Sequence, residues 1–328
     1  MRKRETLPVA RHEQGKLGSV SRLALTAALG FAGLHAFSTA SWAACDPIGG
    51  NQFVCSGVST TPQIINSAGA QVTTTPGFSV DTTTGGGGDA LRISGNGPHG
   101  YIDMNGSSLT GSGSGLGLVV TSSGAGAGPV TILTNGSISG YYGILGYTEG
   151  VGAATNISAF GNVTGQAIGI SASNTSLGGD ISVVATTVSG QRDGISVQNV
   201  GSGEARLFVT GLVEGTAGYG INASTLGTDV TVTAASVFGG DIGIMAANLG
   251  TGATSIIATG AVTGTTDYGV AAYNDPTALG GLSILTADVS GGVAGIIAAN
   301  SGAGATGITA GHVSGGIGVI ATNGVVDP

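Results

Sequence analysis

Three carboxylates recur at nearly equal spacing in the middle of the chain. Asp180, Glu204 and Asp229 follow one another at intervals of 24 and 25 residues. If each interval is one turn of a repeating fold, the side chains stack about 5 Å apart, near the carboxylate separation of retaining glycosidases. The spacing raises the hypothesis of an acid/base row that acts on a polysaccharide. The competing interpretation is that turns favour Asp and that these carboxylates are solvated, with Arg206 as the only nearby charge partner.

A second row of acidic residues could at most bind calcium. It consists of Asp193, Asp241 and Asp267, which precede another set of predicted strands. Calcium on either row is the one cofactor that the sequence admits. Gly85–Asp89 has the composition of a calcium-binding nonapeptide, but it occurs once and such sites need tandem copies.

The histidines indicate no nucleophilic site. After residue 43 the chain has only His99, in a Gly-Pro-His-Gly turn, and His312, at the start of a predicted strand. No Gly-x-Ser-x-Gly motif lies beside a helix. We therefore interpret both histidines as exposed scaffold residues and predict no catalysis.

These residues belong to a repeat of roughly two dozen residues. The phrase aliphatic-x-Gly recurs at intervals of 24 to 29 residues. Its glycines are Gly111, Gly140, Gly165, Gly190, Gly215, Gly239, Gly264, Gly291 and Gly315. A repeat of this length indicates a solenoid, in which each unit buries its apolar face by stacking on its neighbours.

Each repeat is predicted to hold three short strands. A Gly-aliphatic pair such as Gly194-Ile195 follows the repeated glycine, and an alternating segment at residues 230–234 completes a unit. Alternating β-branched residues are typical of strands, and helix-forming Glu, Lys and Gln are almost absent. We predict an all-β chain, a single right-handed parallel β-helix with about 25 residues per coil.

The second strand of each repeat ends on a column of polar residues. Four positions after its first aliphatic residue comes Asn in most repeats and Ser or Thr in the others. The asparagines are Asn174, Asn199, Asn248, Asn274, Asn300 and Asn323. Stacked amides can hydrogen-bond to one another along the axis, so we predict a structural ladder rather than a ligand site.

The first residues have the pattern of an export signal. A basic segment at residues 2–22 precedes an apolar run at residues 23–37. Small residues then predict cleavage between Ala43 and Ala44. The protein is therefore expected to cross the inner membrane and to reach an oxidising compartment.

The pattern divides the chain into three parts. Residues 1–43 are the signal peptide, residues 44–105 an N-terminal cap with irregular coils, and residues 106–328 the regular coils. Cys45 and Cys55 are the only cysteines and are predicted to form a disulfide in the cap. A cap is expected because the terminal unit of a solenoid must cover an apolar end.

Net charge excludes two classes of partner. After residue 43 the chain has three arginines, no lysine and fifteen carboxylates, a net charge of −12. Nucleic acids and anionic membranes both require a basic face, so neither is a predicted partner. The acidity favours a soluble extracellular surface.

With these features the chain resembles the passenger domains of bacterial autotransporters, the type V secreted proteins. The resemblance rests on the long basic signal peptide, the two-cysteine segment at residues 44–57 and the Gly/Thr/Asn-rich coils. It implies a β-helix at the outer membrane or outside the cell. It also implies a C-terminal β-barrel translocator, which the sequence lacks before its last residue, Pro328. The barrel is expected from a longer reading frame or from a partner.

The sequence predicts an adhesin or surface-display scaffold, and the alternative is a polysaccharide-degrading β-helix lyase or hydrolase. The expected ligand is a host or cell-surface glycan or protein. The widest repeat intervals point to the loops Ser112–Gly115 and Asp275–Gly281 as recognition elements. Tyr141, Tyr142 and Tyr273 are candidate aromatic contacts for a sugar or a protein.

Overall fold

Alternating apolar and polar residues build a stack of turns in this chain. The computed structural model describes residues 44–324. The predicted signal peptide, including Ala43 at its cleavage site, lies outside the described residues. The described chain is all-β and forms a parallel β-solenoid of about 11 turns, about 25 residues apart, which confirms the predicted fold class. Within this range no helix is long and apolar enough to cross a membrane.

The strands are short in most turns and longer where one strand bends around a corner. In chain order they are β1 (Ala44–Gly49), β2 (Gln52–Ser56), β3 (Val58–Ser59), β4 (Gln63–Asn66), β5 (Gln71–Thr74), β6 (Ser79–Asp81), β7 (Leu91–Asp103), β8 (Ser108–Thr110), β9 (Leu118–Thr134), β10 (Ser137–Thr148), β11 (Thr155–Asn174), β12 (Ile181–Gly190), β13 (Asp193–Asn199), β14 (Ala205–Gly215), β15 (Ile221–Thr225), β16 (Val230–Gly239), β17 (Ile244–Asn248), β18 (Thr254–Ala258), β19 (Val262–Gly264), β20 (Tyr268–Asn274), β21 (Leu282–Gly291), β22 (Ala294–Asn300), β23 (Thr306–Ser314) and β24 (Ile317–Asn323).

Three columns of parallel strands run along the solenoid. We name them sheets 1, 2 and 3. The strands of sheet 1 end at the asparagine column. Sheet 2 contains the alternating segments, and sheet 3 contains the aliphatic-x-Gly segments. In one representative turn, residues 213–215 lie in sheet 3, residues 221–225 in sheet 1 and residues 230–234 in sheet 2. Each segment pairs in parallel register with its equivalents in the turns before and after.

The core consists of stacked columns of like side chains. In sheet 1 the first inward residue is Ile or Val in turn after turn, and every one of these is fully buried: Ile144, Ile170, Ile195, Ile221, Ile244, Val270 and Ile296. Neighbouring strands are about 4.8 Å apart, so each side chain packs against its equivalents above and below. Truncating one such isoleucine to alanine is expected to cost about 2–5 kcal/mol, because the neighbouring turns cannot collapse into the cavity.

The corner between sheet 3 and sheet 1 requires glycine because the main chain of the next turn is too close. At Gly194, an added Cβ would lie 2.5 Å from Cγ1 of Val213 and 2.6 Å from the carbonyl oxygen of Gly220. No side chain fits in that space. The recurrent Gly-aliphatic pair is therefore a packing requirement of the stack.

The N-terminal end is covered by an antiparallel hairpin. Strand β1 pairs antiparallel with β2, and Cys45 lies opposite Cys55 and is disulfide-bonded to it. Parallel stacking begins with β2, which pairs with β5. The segment predicted as cap and irregular coils is thus a hairpin followed by parallel turns, with breaks in register near Gly97.

Candidate functional site

The three candidate acid/base residues lie one above another. Each directly precedes a sheet 2 strand, Asp180 before β12, Glu204 before β14 and Asp229 before β16. These strands pair in register, so the residues occupy equivalent positions on consecutive turns. The three residues therefore stack on consecutive turns, as their spacing in the sequence predicted.

Every member of this row has a partner within the protein. Asp180 Oδ1 accepts the backbone N–H of Glu204 at 2.9 Å, and Asp229 Oδ1 accepts that of Ala253 at 2.7 Å. Glu204 binds Nε and Nη2 of Arg206 at 3.1 and 3.2 Å, and this contact raises the pKa of the Arg206 guanidinium. Asp180 and Asp229 thus fasten one turn to the next. A catalytic role for the row stays the untested alternative hypothesis.

The second acidic row is also engaged in local contacts. Buried Asp193 accepts the backbone N–H of Tyr219 at 3.2 Å and binds Nε of Arg192 at 3.1 Å. Burial raises the pKa of Asp241, and the neighbouring Asp267 carboxyl raises it further. Among residues 44–324, no group of three or more His, Cys, Asp or Glu side chains is placed to hold a metal ion.

The asparagines form a column in space, but their hydrogen bonds run to the corners. Asn274, for example, pairs in register with Asn248 and Asn300. Asn274 Oδ1 accepts the hydroxyl of Thr254 at 2.7 Å, and its Nδ2 donates to the carbonyl of Gly280 at 3.3 Å.

Asn199 shows why amide-to-amide bonding was the wrong prediction. Its Nδ2 donates to the carbonyls of Gly179 and Glu204 at 3.1 and 2.9 Å, and its Oδ1 accepts the N–H of Gly201 at 2.9 Å. Backbone groups leave the sheet ladder at this corner and need partners, and the Asn199 amide supplies them. Within the described part of the chain, no hydrogen bond joins two asparagine side chains of the column.

His99 is buried, so its interpretation as an exposed scaffold residue was wrong. Its side chain is 1% exposed, Nδ1 accepts the backbone N–H of Ala70 at 3.1 Å, and Nε2 has no hydrogen-bond partner. This burial lowers the pKa of His99. The other predicted scaffold histidine, His312, is exposed.

Asp103 is the centre of a buried polar cluster that the sequence reasoning missed. It accepts the hydroxyl of Thr74 at 2.8 Å, the hydroxyl of Thr134 at 3.1 Å and the backbone N–H of Ser107 at 2.9 Å. Burial pushes the pKa of Asp103 upward, but hydrogen bonds to its carboxylate hold it below its ordinary value. The available signal was spacing, since His99, Tyr101 and Asp103 alternate along one strand and must share a face.

A cleft of about 330 Å³ opens on the outer surface of sheet 3. Its lining carries hydroxyl and amide groups and no ionisable side chain. The lining residues are Thr83, Thr110, Gly111, Ser112, Gly113, Ser139, Gly140, Thr164 and Gln166. The cleft is therefore a neutral hydrogen-bonding surface on a strongly acidic protein.

Two loops that are tied together form one wall of the cleft. Ser112 Oγ donates to the carbonyl of Thr82 at 3.0 Å, and Gly88 forms an isolated antiparallel bridge with Ser112. Asp89 accepts the backbone N–H of Leu116 at 2.8 Å and Nε of Arg92 at 2.7 Å. The glycine-rich run before Asp89 thus serves to dock these loops.

The floor of the cleft is a row of hydroxyl groups on consecutive strands. Ser139 pairs in register with Thr110 on one side and Thr164 on the other. Its hydroxyl donates to Oγ1 of Thr110 at 3.2 Å. Because the strands are about 4.8 Å apart, the floor presents polar groups at a regular interval along the axis.

A pair of stacked tyrosines borders the cleft. Tyr141 directly follows Gly140 of the lining, and its backbone N–H donates to the carbonyl of Gly115 at 2.7 Å. The rings of Tyr141 and Tyr142 have centroids 5.3 Å apart and are inclined by 18°, and Tyr141 is 42% exposed. The structure thus brings together the Ser112–Gly115 loop and this tyrosine pair.

The other sequence candidates lie on different parts of the solenoid. The loop at residues 275–281 connects sheet 1 to sheet 2, whereas the cleft lies on sheet 3. Tyr273 projects from the outer face of sheet 1, between Ala247 and Ala299 of the adjacent strands. Neither takes part in the cleft.

A second cleft, of about 440 Å³, lies over the corner between sheets 1 and 2. Its walls are the main chain of residues 124–127 and the side chains of Glu149, Val151 and Leu177. Glu149 accepts the N–H of Gly124 at 2.9 Å and the hydroxyl of Tyr147 at 3.1 Å. Its one carboxylate is already bonded within the protein.

The chain matches no known family model, no curated protein and no solved structure. Functional inference therefore rests on the geometry of this molecule.

Proposed function

We propose that this protein is an exported, non-catalytic β-solenoid that displays a recognition surface at the cell surface or outside the cell, as an adhesin does. The observation that carries the proposal is the cleft on sheet 3, where two docked loops flank a row of outward hydroxyl groups and the exposed Tyr141 directly follows the lining residue Gly140. The basic leader sequence and the Cys45–Cys55 disulfide support export.

The surface chemistry supports binding outside the cell rather than binding to polyanions. Residues 44–328 have a net charge of −12 and no lysine, which favours solubility and repels nucleic acid and anionic membranes.

A binding and turnover experiment separates the adhesin from the polysaccharide-degrading alternative. Purified residues 44–328 are applied to immobilised glycans and to whole cells, and reducing-end release is measured from neutral and acidic polysaccharides. We expect saturable binding and no release. Release that disappears in both Glu204→Gln and Asp229→Asn would establish the enzyme instead, because these changes remove charge but keep shape.

Export has a separate test. Residues 1–43 are fused to a periplasmic reporter, and the fusion is compared with one in which residues 23–37 are deleted. We expect processed, exported reporter from the first fusion alone, with cleavage directly after Ala43. Retention of the full-length fusion in the cytoplasm would contradict the proposal.

A further inference from the structure

The lining of the sheet 3 cleft favours an uncharged ligand. An anionic ligand would require a free cation, but no lysine or arginine lines the cleft. All three arginines of the described chain are paired with carboxylates, Arg92 with Asp89, Arg192 with Asp193 and Arg206 with Glu204.

A cationic ligand finds no counter-charge among the same side chains. No carboxylate lines the cleft, and none of its lining side chains is aliphatic or aromatic. Hydroxyl groups and the Gln166 amide can each donate and accept hydrogen bonds. A ligand that itself carries many hydroxyl groups is the chemical complement of such a surface.

Tyr141 adds a flat apolar contact at the edge of this polar surface. Its ring is exposed and is held in place by stacking on Tyr142. The face of an aromatic ring is electron-rich and attracts partly positive C–H groups. A sugar ring presents C–H groups on its faces and hydroxyl groups at its edges, so it can use Tyr141 and the hydroxyl floor together.

We propose that the sheet 3 cleft binds an uncharged saccharide, with Tyr141 as the stacking surface and Thr110, Thr164 and Gln166 as hydrogen-bonding partners. This inference rests on the proposed recognition function and names its ligand class. The cleft volume of about 330 Å³ is at the lower end for ligand sites, so it accommodates one or two sugar units. A longer chain would extend over Tyr141.

The chain offers a matched pair of threonines for the test. Thr164 lies in the cleft, and its hydroxyl accepts that of Ser189 at 3.4 Å. Thr263 occupies the equivalent outward position four turns away, outside the cleft, and accepts the hydroxyl of Ser290 at 3.2 Å. Thr164→Val and Thr263→Val therefore make the same chemical change at equivalent positions of the repeat.

Calorimetric titration with defined oligosaccharides measures the effect. The neutral probes are cellohexaose, mannohexaose and N-acetylchitohexaose, and the anionic probe is oligogalacturonate. We expect at least one neutral probe to bind residues 44–328 and the anionic probe not to bind. Thr164→Val should weaken binding roughly fivefold to tenfold, the value of one hydrogen bond, whereas Thr263→Val should leave it within about twofold.

Substitutions of Tyr141 test the stacking contact. Tyr141→Ala should weaken binding about tenfold, while Tyr141→Phe, which keeps the ring, should retain most of the affinity. Because Tyr141 is exposed, both variants should fold, and their melting temperatures check this. Equal losses in Tyr141→Ala and Tyr141→Phe, or in the two threonine variants, would overturn the assignment.

The design distinguishes failure of this inference from failure of the proposed function. If the protein adheres to cells but binds no neutral probe, and adhesion survives Thr164→Val and Tyr141→Ala, the saccharide assignment is wrong and a protein ligand is indicated. If the protein adheres to nothing, the recognition function itself is wrong. Tighter binding of oligogalacturonate than of every neutral probe would also refute the inference.

Discussion

The turns before Gly152 and the turns after it build one solenoid by different means. Glycines in the left-handed region of backbone conformation all lie at or before Gly152, apart from Gly315. After Gly152 the glycines serve close packing of the main chain, as at Gly194. The tight corner itself begins in the early turns, at Gly117 and Gly143, so the early turns use glycine both for irregular loops and for the corner, and the later turns use it mainly for close packing.

The polar interior differs between the same two regions. In the early turns a single carboxylate, Asp103, gathers donors from three turns of the stack. In the later turns a column of asparagines, with Thr225 in one turn, distributes this work over many corners and bonds to backbone groups of its own and the adjacent turn. Most of the cleft lining lies in the early turns, so loops that break the repeat also form a wall of the proposed recognition surface.

Removing the Asp103 carboxylate should produce the largest effect on stability. Asp103→Ala leaves buried donors of Thr74, Ser107 and Thr134 without an acceptor, and we expect a loss of about 4 kcal/mol. Hydrogen exchange followed by mass spectrometry should show the loss confined to the early turns. Asp81→Ala, at an exposed carboxylate bonded only to Thr83, is the control and should cost under about 1 kcal/mol. Similar losses of stability in both variants would show that Asp103 is not the main polar contact of the early turns.

A pair of glycine substitutions should separate the two uses of this residue. Gly194→Ala places a Cβ against Val213 and the Gly220 carbonyl, and we expect about 3 kcal/mol of destabilisation. Gly124 has φ of 81° and open space around it, so Gly124→Ala should cost only about 1–2 kcal/mol of backbone strain. Denaturant unfolding measures both. A larger loss of stability in Gly124→Ala than in Gly194→Ala would contradict this distinction between the two glycines.

The two regions should respond to acid in opposite directions. Folding lowers the pKa of His99 below 6.5 and that of Asp103 below 3.8, so each contributes stability that is fully present above those values. That stability is lost as the pH falls through the folded-state pKa. The pKa of Asp241 is raised above 3.8, so its contribution is present at low pH and lost as the pH rises through the folded-state value.

Hydrogen exchange between about pH 7 and pH 5, corrected for intrinsic rates, tests this difference. Protection of residues 95–105 should fall with decreasing pH, and protection of residues 236–248 should not. Tyr101 and Asp103 share the inward face of the strand that contains His99, Ala70 donates its backbone N–H to His99 from the preceding turn, and apolar Val130 pairs with His99 from the next turn. In His99→Gln the decline below pH 6.5 should disappear. Equal declines in both regions would contradict the assignment.

The smallest effect is expected at the exposed Glu204–Arg206 pair. Glu204→Gln should change stability by less than about 0.5 kcal/mol, because an exposed ion pair is weak. Asp180→Ala should cost more, about 1 kcal/mol, since its carboxylate fastens the backbone of the next turn. Thermal unfolding of the two variants measures the difference. The reverse order would show that the ion pair, and not the backbone contact, holds this corner.

The regular turns could be predicted from the sequence almost residue by residue. Columns such as Ile195 over Ile221, and the glycine at 194, follow from a period and from the alternation of a strand, which are local properties. The bonding of Asn199 could not be predicted, because it depends on which corner carbonyls lie within reach. The burial of His99 could not be predicted from a Gly-Pro-His-Gly turn motif, because the pairing of β7 with β9 places it inside.

The cleft was predictable only in its parts. The interval between repeated glycines pointed to the loop at residues 112–115, and composition pointed to Tyr141. The loop and Tyr141 lie close together because both are at the corner between sheets 3 and 1. The loop at residues 275–281 gave an equally strong signal but lies at another corner. A long interval between repeats predicts that a loop is inserted in that turn. The corner at which the loop lies determines which residues it contacts.

Pulsed electron paramagnetic resonance distances between spin labels test the stacked register most directly. Thr131, Thr231 and Ser283 are outward residues in one row of sheet 2, with four strand steps from the first to the second and six from the first to the third. Labelled cysteines at residues 131 and 231 should be about 19 Å apart, and those at 131 and 283 about 29 Å apart. Two equal distances, or a shorter one to residue 283, would contradict the solenoid on which the cleft and its ligand depend.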